Sequence, residues 1–200
     1  MPLPTLIVML KEPRAGLVKT RLGRDIGMTN SAWWFRHQSG ALLRRLYAPR
    51  RWNMILAVAP DSAGLASRAW PAHLQRIAQG QGDLGVRMAR LLREFDRNPV
   101  CLIGGDIPGI SQHHVFKAFK TLGAHDAVFG PAKDGGFWLV GITPNTALPS
   151  TVFQGVRWST KYALTDALAT LPRKRIGFVD TLRDIDTIED LAKLQRMNRR

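Results

Sequence analysis

Two hundred residues suffice for one core-bearing domain and fall short of two, and 45% hydrophobic with 22% charged residues is ordinary for a globular chain. No apolar run approaches the ~20 residues needed to cross a bilayer, which excludes a membrane-spanning helix. The charge is lopsided: 29 Lys and Arg against 15 Asp and Glu give a formal +14, a field that favours nucleotides, nucleic acid or anionic lipid as partners.

The chain opens on Met1-Pro-Leu-Pro-Thr-Leu-Ile-Val-Met-Leu10, with no basic residue ahead of its apolar run and no small-residue cleavage site. It reads as a first strand over residues 5–10 rather than a signal peptide. Residues 11–24 form a basic loop punctuated by Pro13 and Gly16. Thr29, Asn30 and Ser31 offer caps for a helix along which Trp33, Trp34, Leu42, Leu43 and Leu46 recur with helical spacing. A second strand is expected at 54–59, a short helical piece around 63–70 and a brief third strand at 74–78. The glycine-rich loop Gln79-Gly-Gln-Gly-Asp-Leu-Gly85 leads into a helix reaching about Phe95. Residues 100–103 form a short, wholly apolar strand that stops at Gly104 and Gly105. Pro108 and Gly109 then hold the chain irregular until Ser111 caps a helix to residue 122. Strands at 126–129 and 137–142 are joined across residues 130–136. A helix at 160–171, a late strand at 175–179 and a closing helix at 187–197 follow. This alternation implies one α/β domain over residues 1–200, a sandwich around a mostly parallel sheet. The lone cysteine, Cys101, lies in the central apolar run, which rules out an intrachain disulfide and points to a buried thiol in a reducing cytosol.

Asp106 follows the central strand at its carboxyl end, where open α/β sheets bind ligands, although a turn aspartate bonding its own backbone accounts for it equally well. The loop after strand one holds Lys11, Arg14, Lys19 and Arg21, with Gly16 to expose backbone N–H groups. It suits a phosphate cradle, or else a solvated basic loop, and it is not a Walker A motif. Asp134-Gly-Gly136 is either hairpin chemistry or a site. Between Asp180 and Asp190 lie five carboxylates; Thr187 or Asp186 can cap the last helix, but capping does not account for Asp184 and Asp186 together. Asp106 and Asp186 have the hard oxygen chemistry to hold Mg²⁺ or Mn²⁺ against a diphosphate. The five histidines lack zinc spacing, and no Gly-x-Ser-x-Gly elbow occurs. Trp33, Trp34, Phe137 and Trp138 read as core, whereas Trp158-Ser-Thr160, in a loop before a helix, can border an acceptor pocket. The basic pairs Arg44-Arg45, Arg50-Arg51 and Arg199-Arg200 and the triplet Arg173-Lys174-Arg175 are dispersed, without a tail or an aromatic ladder. They read mostly as solvated surface, and nucleic acid is not the expected partner.

Six segments in order carry a family resemblance: Lys11-x-Pro13-x-x-Gly16-x-Val18-Lys19-Thr20-Arg21-Leu22; Gln79-Gly-x-Gly82-Asp83-Leu84-Gly85-x-Arg87-Met88; Gly105-Asp106-x-Pro108; Gly130-Pro-Ala-x-Asp134-Gly-Gly136; Trp158-Ser-Thr160; and Asp184-Ile-Asp186-Thr-x-Glu189-Asp190-Leu191. Nearly end to end, the chain resembles a bacterial family of GT-A-type proteins long described as of unknown function. Some of its members are called glycosyltransferases of the arsenosugar-biosynthesis type. It is more distantly similar to molybdopterin and 2-phospholactate guanylyltransferases of the nucleotide-diphospho-sugar transferase superfamily. The resemblance implies a Rossmann-like three-layer α/β/α GT-A fold and a cytoplasmic transferase using Mg²⁺ or Mn²⁺. Asp106 matches a metal aspartate, and Asp186 a second. Lys11, Arg14, Lys19, Arg21, Gln79 and Asp83 fall in the nucleotide- and phosphate-binding motifs; Asp106 and Asp134 are the catalytic candidates, Asp134 as a base on the acceptor side, which Trp158 borders. Phe137 stands where many members carry tyrosine. The reaction implied is glycosyl transfer from a nucleotide-diphosphate sugar to a small-molecule acceptor, with nucleotidyl transfer from a nucleoside triphosphate as the alternative. The first loop lacks the Leu-Ala-Gly-Gly-x-x-x-Arg signature of the latter enzymes.

Overall fold

The computed structural model describes residues 2–183, 185 and 187–197, the last five without their side chains. In chain order the elements are β1 (Thr5–Lys11), α1 (Thr20–Ile26), α2 (Met28–Leu46), β2 (Asn53–Ala59), α3 (Asp61–Leu65), β3 (Gln75–Ala78), α4 (Leu84–Glu94), β4 (Val100–Gly104), α5 (Gln112–Leu122), β5 (Ala127–Pro131), β6 (Phe137–Ile142), α6 (Ala163–Ala169), β7 (Ile176–Phe178) and α7 (Ile188–Met197). The strands form one seven-stranded sheet in the order β3-β2-β1-β4-β6-β5-β7. Every pairing is parallel except the two made by β6.

The period-two pattern of the apolar strands decides the layers. In β1, Leu6, Val8 and Leu10 face one side with Cys101 and Ile103 of β4, and there α2 and α5 bury Phe35, Leu42, Leu43, Leu46, Val115 and Ala118. Ile7, Val100 and Leu102 face the other side, where α4 and α6 contribute Met88, Leu91, Leu92, Ala163 and Ala167. Strands covered on both faces are apolar throughout, as the run at 100–103 is. The fold is thus the three-layer, mostly parallel α/β sandwich that the sequence implied. Burial pushes the Cys101 thiol well above its ordinary pKa and keeps it protonated and inert.

Several boundaries differ from expectation: the helix expected over 160–171 is the shorter α6, Ala163–Ala169, and three further differences bear on the site or the core. The basic loop ends at Lys19, because α1 begins at Thr20. The expected caps at 29–31 lie inside α2: Gly27, at φ 90°, turns the corner from α1, the helix starts at Met28, and Ser31 turns inward to donate to the Met28 carbonyl at 3.0 Å. The helix expected over 63–70 is the single turn α3, after which Trp70 and Leu74 drop into the core while Arg76 donates to the carbonyls of Leu65, Ser67 and Trp70. Arg45, Arg87, Arg90 and Arg93 likewise donate to backbone carbonyls. Part of the positive excess therefore fastens loops rather than lying solvated.

Candidate active site

The strand order reverses at β1 and β4: from β1 the chain runs on to β2 at one flank of the sheet, and from β4 to β5 at the other. Such a switch point opens a crevice at the carboxyl ends of parallel strands. Here it is a cleft of about 530 Å³. Its walls are the β1 loop (Leu17, Lys19) with Arg21 of α1, the turn after β4 (Gly105, Asp106), the β5–β6 hairpin (Asp134, Phe137) and Trp158.

Asp106 and Lys19 meet inside it, Lys19 Nζ lying 3.0 Å from Asp106 Oδ2. The lysine side chain is 5% exposed and the aspartate 42%, so the ammonium is the deep member and the carboxylate faces the opening. The Asp106 turn is held on both sides. Gly105 N donates to the Met9 carbonyl at 3.1 Å, and Arg45 Nη2 donates to the Pro108 carbonyl at 2.5 Å. Gly105 has to be glycine because a Cβ would run into the Leu10 side chain and stand 3.1 Å from the Met9 oxygen. Lys19 itself has φ 46° and ψ 46°, left-handed backbone that costs a non-glycine residue about 1 kcal/mol.

Of the residues singled out from sequence, Lys11, Lys19, Arg21, Gln79, Asp106, Asp134 and Trp158 line the cleft, and Arg14 and Asp83 do not. Asp83 caps α4, its Oδ1 accepting from Val86 N at 2.9 Å. Gln79 is buried, and its Nε2 donates to the carbonyls of Leu10 and Ala57, fastening the ends of β1 and β2 under the cleft floor. Asp186 and Asp184 lie outside the described residues. Among the described residues no group of three or more His, Cys, Asp or Glu is placed to hold a metal ion.

The far wall is aromatic. The Phe137 ring lies 6.0 Å from Trp158 and 5.1 Å from Phe129, and Phe153 backs Trp158 at 6.3 Å. Sequence reading left Phe137 among core residues and missed Leu17 and Leu84, which line the cleft although 54% and 44% exposed. Apolar side chains at the tips of polar, glycine-rich loops were the available signal. In the hairpin, Asp134 Oδ1 accepts from Gly136 N at 2.9 Å, which is turn chemistry, while the residue still faces the cleft. Gly135 has φ +89°, a Cβ there would strike the Lys161 backbone, and its carbonyl accepts from Leu164 N at 3.0 Å. Gly135→Ala is therefore expected to destabilise the fold by about 2 kcal/mol or more, read by urea denaturation, and to red-shift Trp158 emission as the wall opens. An unchanged midpoint would show that hairpin and wall are not fastened at this point.

A protein from Desulfovibrio desulfuricans G20, provisionally named a nucleotide-diphospho-sugar transferase, superposes with a TM-score of 0.83 at 30% identity, covering 99% of this chain and 88% of that one. The 4-diphosphocytidyl-2C-methyl-D-erythritol synthase of Anaerococcus prevotii DSM 20548 gives a TM-score of 0.63 at 11% identity, over 100% and 99% of the two chains. Rv0371C of Mycobacterium tuberculosis H37Rv, in complex with manganese, gives 0.50 at 16% identity, over 97% and 98%. At those lower identities the likeness is one of fold. No match was found among curated proteins. Residues 42–160 match a bacterial family described as uncharacterized conserved proteins (DUF2064), and the likeness to the Desulfovibrio protein runs nearly the whole length. The chain belongs to this DUF2064 family, as its ordered motifs led one to expect.

Proposed function

We propose that the protein is a glycosyltransferase whose donor is a nucleotide-diphosphate sugar and whose cleft takes up a divalent metal at Asp106. The observation that carries this reading is the Lys19–Asp106 pair at the switch point, a deep fixed cation beside a more exposed hard carboxylate. A diphosphate needs cations against its oxygens, and Mg²⁺ or Mn²⁺ is commonly held by one or two carboxylates with substrate phosphates completing its shell. Asp106 suits that role, and Asp186 is assigned as the second carboxylate. Such an ion supplies Lewis-acid stabilisation of a departing diphosphate. Lys19, with Arg21 and Lys11 along the same wall, binds the diphosphate and stabilises the charge it gains on leaving. On this reading Phe137 and Trp158 form the apolar acceptor side and Asp134 acts as the base for the acceptor hydroxyl; its position in the cleft lining supports this. The name of the Desulfovibrio relative and the manganese of the mycobacterial structure support the reading.

A second reading, nucleotidyl transfer from a nucleoside triphosphate, is favoured by the end-to-end fold likeness to the Anaerococcus synthase, whose name marks a cytidylyl product. The experiment is a thermal-shift panel of nucleotide sugars and nucleoside triphosphates, with and without Mn²⁺, followed by product analysis. A metal-dependent rise with a nucleotide sugar, and release of nucleoside diphosphate, is the expected result. Pyrophosphate release from a triphosphate transfers the assignment to the second reading, and no shift with any nucleotide overturns both.

A further inference from the structure

Residues 26–60 and 107–125 contain no Asp or Glu, yet hold seven Lys and Arg. Far apart in sequence, these segments supply α2, the loop after it, and α5, which pack on the same face of the sheet. They touch directly: Gln112 Nε2 donates to the Arg45 carbonyl at 2.9 Å, and the Trp52 and Phe119 rings are 6.1 Å apart. The helical period places Trp33, Arg36, His37 and Arg44 in one outward sector of α2. Trp33 is 63% exposed, its ring 3.9 Å from that of His37. Tyr47, Arg50 and Arg51 continue the surface and, with Gln112, line a shallow hollow of about 320 Å³. From α5 come His113, Lys120 and Phe116, the last 53% exposed. The carboxylate at the flank of α5, Asp180, is already engaged by Lys117 at 2.8 Å.

We propose that this face docks on an anionic membrane surface. Cations without intervening carboxylates meet the negative potential of acidic headgroups, each Lys or Arg near the surface strengthening adsorption. Exposed Trp, Tyr and Phe among them suit the boundary between headgroups and acyl chains, where rings with one polar edge settle. A single-stranded nucleic acid would instead use a groove with successive rings free to stack on bases. Here the rings stand on separate elements, Trp33 against His37 and Tyr47 edge-on to His73 at 5.0 Å. None of the side chains named for the docking face lines the cleft.

The test is co-sedimentation of the full chain with phosphatidylcholine vesicles, with and without phosphatidylglycerol, alongside a random-sequence DNA. Binding is expected only with phosphatidylglycerol, weakening with salt. The double variant Arg44→Gln/Arg51→Gln should lose about tenfold or more in partitioning. Arg97→Gln/Arg173→Gln removes the same charge after the helices of the opposite layer and should lose less than about twofold. A blue shift of tryptophan emission on binding should vanish in Trp33→Phe, and thermal melts of all variants should coincide with the parent. Equal losses in the two double variants, a blue shift that survives Trp33→Phe, no binding to acidic vesicles at low salt, or tighter retention on DNA through the same arginines would each overturn the proposal.

Discussion

Asp106→Asn should abolish the metal dependence of donor binding and lower turnover by about a thousandfold, in the range seen when one preorganised charge-stabilising group is lost. The substitution keeps shape and hydrogen-bonding reach and removes only the charge. A neutral amide is a poor ligand for a hard divalent ion, so titration of the nucleotide sugar by calorimetry should no longer respond to Mn²⁺. The metal-free experiment has the opposite sign. Without metal the Asp106 carboxylate repels the diphosphate, so Asn at this position should bind the nucleotide as well as the parent or severalfold better. Stability should fall modestly: the Asp106 side chain is 42% exposed, which screens the pair, but the Lys19 ammonium, 5% exposed, loses this carboxylate. Mn²⁺-dependent binding that survives unchanged would remove Asp106 from the metal role.

Much of this arrangement was legible in the chain because it follows from local rules. The apolar run at 100–103 could only be a strand covered on both faces, and β4 has all four of those residues buried. The glycines and prolines around it forced a turn, which put Asp106 at a strand end. Ser111 as a helix cap likewise needs only local chemistry, and it bonds His114 Nδ1 through both its hydroxyl and its N–H. What could not be read were features that depend on distant segments meeting. The role of Gln79 is visible only once Leu10 and Ala57 lie beside it. The Arg45 brace on Pro108 spans 63 residues. The order of β6 and β5 was hidden too: the hairpin was evident, but nothing local states that β6 inserts antiparallel against β4.

The motif glycines show the same limit in another form. Composition says that a glycine permits a turn or a close approach, and tertiary packing decides which. Gly85 sits in α4, where no unusual dihedral is required; a Cβ there would stand 2.7 Å from the Phe153 carbonyl oxygen and 3.0 Å from the Trp158 ring. It lets the aromatic wall come up against the helix that follows the Gln79 loop. Two motifs separated by more than sixty residues are in this way one piece of packing.

Lys19→Asn separates the conformational cost of this site from its chemical role. Lysine at φ 46°, ψ 46° occupies backbone that asparagine tolerates better, and the position is the N-cap of α1, which asparagine also favours. On backbone grounds alone the substitution should be neutral or stabilising by up to about 1 kcal/mol, set against the void left by a side chain only 5% exposed. The melting temperature should therefore stay near that of the parent. Turnover should fall by about a hundredfold or more, because the ammonium is fixed beside the place where the departing diphosphate gains charge. The division between constants carries the information. If Lys19 acts on charge that develops during departure, kcat falls and KM changes little; if it only anchors the bound donor, KM rises with kcat nearly kept. The first pattern is expected, since a deep, left-handed lysine accepts strain to hold one point charge in one place. Lys19→Arg, which keeps the charge but spreads it over a planar fork on a longer stem, should recover only part of the loss. A full recovery by arginine would mean that any cation in the loop suffices, and kcat and KM both retained in Lys19→Asn would mean that the pair with Asp106 orders the cleft without taking part in binding or reaction.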